Sequence, residues 1–371
     1  MIWGLTISYR DKMKNEYLKR VFKLTAVGLA MMILYIFFAD LMKFNNTNSE
    51  LHVRNFYREP ENTIDVGLIG ASEMYADYSA PLAYQEYGFT SYNLCVAGTT
   101  GGVYKSMIRE MLSRQTPQLL VIEVNGFLYN VNSLQDEGTL RQWIDNMEKN
   151  DNWLDTISER IEPDDRKNYY VRLLKYHSNW ENPKDLVKRQ CDIDRNNESD
   201  VSLCKSMGIR TQTNPEVSTA ENKSKLTDLG KSYLEETIAY CQEKGLKNVL
   251  FIRAPHNKKL NKKTNQQLEE IITQNGYAYM NFEYISEEFG IDDKNDYFNT
   301  EHLNVFGCEK FTDYLSRYIT ENYTIETEHS EDVDAEWNKC AEHTNAVFDT
   351  LKERTLKEEG KYYTEFSDMK W

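Results

Sequence analysis

The chain has 371 residues, with 44 Lys and Arg against 59 Asp and Glu, a formal net charge of −15. A surface of that sign repels polyphosphate and no basic, aromatic-interleaved stretch offsets it, so nucleic acid is excluded as a partner. Six scattered cysteines without CxxC or Cys/His metal spacing exclude a zinc ribbon, and neither metal nor cofactor is expected.

Residues 1–23 form a basic segment, with Arg10, Lys12, Lys14, Lys19, Arg20 and Lys23 against Asp11 and Glu16. Residues 24–42 (LTAVGLAMMILYIFFADLM) hold Asp40 as their only charge. As a helix they would span about 28 Å, enough to cross a bilayer. The basic flank predicts a single-pass cell-membrane anchor with a cytoplasmic N-terminus and an extracytoplasmic body. FFADLMKFNN offers a poor cleavage site for a signal peptide, and the run lacks the polar face of a core helix.

Residues 43–62, with Pro60, read as a polar linker, and residues 63–325 as the main domain. Five apolar runs there predict strands: Ile64 to Ile69, Ser91 to Val96, Gln118 to Val124, Lys247 to Arg253 and Tyr277 to Phe282. Amphipathic patterns between them (Tyr104 to Ser113, Leu229 to Lys244, Asn265 to Gln274) predict helices, with Gly245 and Gly276 as stops. This alternation predicts an α/β fold on a mostly parallel sheet. A polar, Trp- and Tyr-bearing region at about 128–227 interrupts it and reads as a mostly helical insertion over one end of the sheet. Cys191 and Cys204 lie near each other there, and a disulfide between them is left open. Residues 326–371 read as a charged extension, with a helix at about Glu336 to Lys357 docking on the domain or on a partner.

Gly70-Ala71-Ser72-Glu73 ends the first strand, at the edge where open α/β sheets bind ligands. A serine after a strand is more often a helix cap, so the tripeptide alone is weak evidence of catalysis. The loop Asn299 to Asn304 precedes a helix pattern at Glu309 to Ile319, and in a doubly wound sheet it returns to the same edge. His302 can then reach Ser72 as a general base. His256, after the fourth strand, is the competing base. Glu73 reads as a first-turn acid complementing the helix dipole, Glu301 as solvated, and His177 as a packed or lid histidine. His52, His329 and His343 read as surface residues.

GLIGASEMY, NLCVAGTTGG, VIEVNGF and NTEHLNVFG resemble the four sequence blocks of the SGNH hydrolases, a branch of the GDSL-like esterases. The resemblance implies a flavodoxin-like three-layer α/β/α fold with a five-stranded parallel sheet. It implies Ser72 as nucleophile, His302 as base, and the Ser72 and Gly98 N–H groups with the Asn125 side chain as oxyanion donors; Glu73 joins them on the substrate side. The anchor, the strand bearing Glu123 and the RLLKYHSNW segment look like the membrane-anchored branch, which includes the lipoteichoic acid D-alanylation protein and alginate O-acetyltransferase-like proteins. That branch implies an esterase or O-acyltransferase acting on a cell-surface polysaccharide or teichoic-acid-like polymer, beside a multi-spanning membrane O-acyltransferase.

The chain departs from the family at Asn299, where the family has an aspartate. In a serine protease that replacement lowers turnover by about 10⁴-fold. Three outcomes stay open: Asp296 orients the histidine instead, a Ser–His dyad suffices, or the site is inactive. The last leaves a non-catalytic, membrane-tethered scaffold binding the acyltransferase or polymer. A phosphate-binding flavodoxin-like protein is disfavoured, because no Gly-rich cradle follows the first strand.

Overall fold

The computed structural model describes residues 2–43, 47–196, 203–208 and 221–357. It divides into two compact units, residues 1–44 with 164–190 and residues 45–163 with 191–371.

In the first unit, α1 (Ile2–Leu41) begins well before the apolar run, since no proline breaks the basic segment. Its stretch Lys14–Leu41 is long and apolar enough to cross a membrane, and the most apolar window is not buried, as a core helix would be. Short helical turns at Lys167–Tyr170 and Leu173–Tyr176 and the start of the helix Pro183–Asn196 complete this unit.

The second unit is built on five parallel strands: β1 (Val66–Gly70), β2 (Ser91–Cys95), β3 (Leu119–Glu123), β4 (Val249–Arg253) and β5 (Ala278–Asn281). Their spatial order is β2-β1-β3-β4-β5, and Ile69 sits in register with Leu94 on one side and Ile122 on the other. The first four strands are buried along their whole length. A parallel strand covered on both faces has no solvent side to mark with polar residues, which is why these segments stand out as continuous apolar runs.

Helices α2 (Thr47–Phe56), α3 (Ser72–Asp77), α4 (Ala80–Tyr87), α5 (Tyr104–Arg114), α6 (Asp228–Glu243), α7 (Lys262–Gln274), α8 (Val305–Asn322) and α9 (Glu331–Leu356) surround the sheet. As predicted, α6 and α7 are followed by Gly245 and Gly276 with left-handed backbone, φ +68° and +83°. The central region does fold as helices, including Val131–Leu134, Glu137–Ile144 and Asp151–Arg160. Residues 197–202 and 209–220 of it lie outside the described residues.

Two expectations are corrected here, those for the linker and for His52. The supposed linker contains α2, whose Leu51, Val53 and Phe56 are buried. Its polar residues misled the reading because they bond to the sheet: His52 Nδ1 lies 3.0 Å from Cys95 O, and Ser49 Oγ accepts from Ala97 N at 3.1 Å. His52 is therefore a buried residue, not a surface one. The expected helix of the extension is α9, and it docks on the domain: its Val347, Phe348 and Leu351 pack in one cluster with Leu51, Val305 and Cys308; residues 358–371 lie outside the described residues. Cys191 and Cys204 are free thiols, the first exposed and the second buried.

Candidate active site

The crossover from β1 goes to β2 on one side and the chain then returns past β1 to β3 on the other, so a crevice opens beyond the carboxyl ends of β1 and β3. Ser72 opens α3 at that edge. The turn before it must be tight: a Cβ on Gly70 would lie 2.8 Å from Met74 Cγ and 3.0 Å from Glu123 Cβ. Ser72 itself is half-buried, with its side chain at the mouth of the turn.

His302 arrives from the loop between β5 and α8. That loop folds back on itself through an isolated bridge between Tyr297 and Leu303, with Phe298 N donating to His302 O at 2.9 Å. Two anchors fix its position. Asn304 Oδ1 caps α8 by accepting from Phe306 N and Gly307 N, and Leu303 N donates to Asp77 Oδ1, at the end of α3, at 2.9 Å. The helix that presents Ser72 thereby also holds the residue next to His302. His302 Nε2 lies 2.8 Å from Ser72 Oγ, although the two are 230 residues apart in sequence.

The other ring nitrogen, Nδ1, lies 3.0 Å from Asn299 Oδ1. The same oxygen accepts the backbone N–H groups of Glu301 (2.8 Å) and His302 (2.9 Å). Three donors converging on one atom fix the amide orientation, because its NH₂ group could not face two N–H groups. Nδ1 must then carry the proton, which leaves Nε2 as the acceptor for the serine hydroxyl. The tautomer an aspartate would enforce is enforced here by a neutral carbonyl. Asp296 does not take that role. Its Oδ2 accepts from Asp292 N at 2.7 Å and from Lys310 Nζ at 2.6 Å, so it staples its own loop to α8.

Beneath the pair lies a cluster of buried charges that sequence reasoning did not assemble. Glu73, Glu123, Arg253, His256 and Glu283 are all almost wholly inaccessible. Arg253 Nε donates to Glu283 Oε1 at 2.7 Å, and Nη1 donates to Asn125 Oδ1. Asn125 Nδ2 donates in turn to Glu73 Oε1, and Asn125 N to Glu123 Oε2 at 2.7 Å. His256 lies with Nδ1 3.1 Å from Glu283 Oε1 and Nε2 3.8 Å from Glu73 Oε1. The Asn125 side chain, expected to face an oxyanion, therefore bridges Arg253 and Glu73. Glu73 does stand in the first turn of α3, as expected, but it is buried, with Oε2 3.5 Å from Ser72 Oγ.

The electrostatics follow from this packing. Burial works against the charge of Glu73, but its pairing with His256 and the nearby His302 ring hold its carboxyl down to about 2. Burial and the Glu73 charge push Glu123 the other way, up to about 8. Two carboxyls in one dry site thus divide into one ionised and one protonated. For His256, burial and Arg253 disfavour the cation, yet Glu283 and Glu73 raise it to about 10. A ring whose protonated form is favoured by two carboxylates is poorly suited to the general-base role for which it competes with His302.

Of the remaining expected residues, Gly98 sits exposed in the turn after β2, with left-handed backbone at φ +61°. Glu301 is exposed. His177 is exposed, with Nδ1 3.2 Å from Leu174 O. His329 is not a simple surface residue, since Nε2 lies 2.8 Å from Asp65 Oδ2, and His343 is half-buried on α9. One signal could have revealed the buried cluster: the apolar strands LLVIE and VLFIR each end in a charge, and Glu283 follows the apolar run of β5. A scan against protein-family models finds none that matches this chain, and a search of curated proteins finds no match either.

Proposed function

We propose that this chain is a membrane-anchored serine acyl-ester enzyme of SGNH type, with its catalytic body outside the cytoplasm. The observation that carries the reading is the 2.8 Å contact between Ser72 Oγ and a His302 ring whose other nitrogen is held by Asn299. Nucleophilic serine catalysis requires that constellation of nucleophile, base and orienting group.

In this reading His302 Nε2 takes the Ser72 proton as Oγ bonds to the acyl carbon. The N–H groups of Ser72 and Gly98 hold the oxyanion. The ester C–O bond then breaks, the alcohol leaves with the proton from His302, and an acyl-serine remains. A sugar hydroxyl or water gives its proton to His302 and takes the acyl group, restoring Ser72. Because Asn299 carries no charge, the imidazolium is balanced by Glu73, the ionised carboxylate beside the nucleophile. The substrates are O-acyl esters on a cell-surface polysaccharide or teichoic-acid-like polymer, supplied by a multi-spanning membrane O-acyltransferase.

Treating the purified full-length chain with a fluorophosphonate probe tests this. Wild type should label at Ser72, and Ser72→Ala should not. A folded wild-type protein that stays unlabelled would replace this reading with the tethered scaffold.

A further inference from the structure

Residues 164–190 carry chemistry that the Ser72 site leaves unused. In a chain of net charge −15, this stretch holds seven Lys and Arg against four Asp and Glu. It also exposes large apolar side chains at close intervals. Tyr170 ends one short helical turn, Val171 caps it and Leu174 lies in the next, so the three exposed side chains stand close together in the chain. Leu174 is 51% exposed, Trp180 62% and Val187 60%. Soluble surfaces rarely gather apolar groups in this way without something to cover them.

What covers them is indicated by where the stretch is fixed. It belongs to the same compact unit as α1, and Asn179 Nδ2 donates to Met42 O at 2.8 Å, just past the end of the membrane-length stretch Lys14–Leu41. A segment tied to that end of a membrane-spanning helix sits where headgroups meet acyl chains. At that depth Trp and Tyr are favoured, Leu and Val enter the acyl region, and Lys and Arg meet anionic headgroups. A protein partner fits less well, because protein interfaces are depleted in Lys and four of the seven cations are Lys.

We infer that residues 164–190 form an interfacial element lying on the bilayer, covered by lipids with anionic headgroups. This rests on α1 being the membrane anchor. To test it, the full-length chain is placed in nanodiscs of phosphatidylcholine and phosphatidylglycerol, with and without brominated acyl chains, and Trp180 emission is isolated as the difference between wild type and Trp180→Phe. Bromolipid should quench that emission about twofold or more, and Leu174→Asp with Val187→Asp should remove the quenching. A chain that incorporates into nanodiscs while Trp180 is quenched by acrylamide and not by bromolipid overturns the surface and leaves the anchor standing. Emission shielded from both quenchers assigns the face to a protein and also overturns it. Failure of the chain to co-purify with nanodiscs removes the anchor, and the proposal with it.

Discussion

The two edges of the sheet are built from similar residues and put them to opposite uses. At the amino edge, Asp65 Oδ2 accepts from Thr90 N and pairs with His329 Nε2, both at 2.8 Å, and Oδ1 accepts from Gln118 Nε2 at 3.0 Å. Gln118 in turn exchanges two hydrogen bonds of 2.8 Å with the Glu326 backbone. Both carboxylate oxygens are answered by donors, and the other acid nearby, Asp334, stands across the His329 ring, 3.4 Å from Nδ1. At the carboxyl edge, Glu73 and Glu123 are crowded together in full burial, and Arg253 Nη2 has no hydrogen-bond partner among the described residues. A fold gains nothing from forcing two acids together out of water. Such frustration is tolerated where charge must be steered, so the contrast supports the proposal that puts the chemistry at the carboxyl edge.

Five measurements can break or sharpen that contrast. The largest effect is expected for His302→Ala, which should lower turnover of p-nitrophenyl acetate by about 10⁴-fold at unchanged fold; a drop of tenfold or less would place the base elsewhere. Asn299→Ala should lower kcat by about 10²-fold because the ring loses its tautomer clamp, whereas Asn299→Asp should match or exceed wild type. Glu73→Gln should cost about tenfold in kcat with little change in KM, as expected of a charge felt mainly by the imidazolium. At the other edge, Asp65→Asn should cost about 1 kcal/mol in stability and leave kcat/KM within about twofold, read by denaturant titration and rate together.

The smallest effect is on the pH dependence of melting. His256 is raised from 6.5 to about 10, so its proton contributes stability in full below pH 6.5, and that contribution is lost as pH rises toward 10. The groups facing it are Glu283, Glu73, Arg253 and the Ala254 carbonyl. Glu123 adds loss in the same direction between 4.5 and about 8. Tm should fall across the alkaline range in wild type and fall less in His256→Gln.

Much of this architecture was legible in the residues. The strands announced themselves because full burial on both faces demands unbroken apolar runs, and Gly70-Ala71-Ser72 with His302 could be placed at one edge by the direction of the strands alone. Helix α2 was not legible, because the sheet edge it covers offers backbone hydrogen bonds and so selects His52 and Ser49 where an apolar stripe would have been visible. The orienting group was not legible either. Sequence places Asn299 three and Asp296 six residues before His302 on the same loop, and only the convergence of two N–H groups and the ring on one oxygen decides between them. The buried charges left a trace, a charged residue ending each apolar strand, but their mutual contacts depend on register across β1, β3 and β4.

The amide that clamps His302 does not titrate. A carboxylate in its place would lose its grip on the ring as acid protonated it, and the acid limb of a rate profile would steepen where two protons bind. With Asn299, a single proton on the imidazole is enough to silence the site. The logarithm of the rate should therefore fall with unit slope on acidification, and the site should regain activity on neutralisation as soon as that one proton leaves, with no ring to be turned back into place.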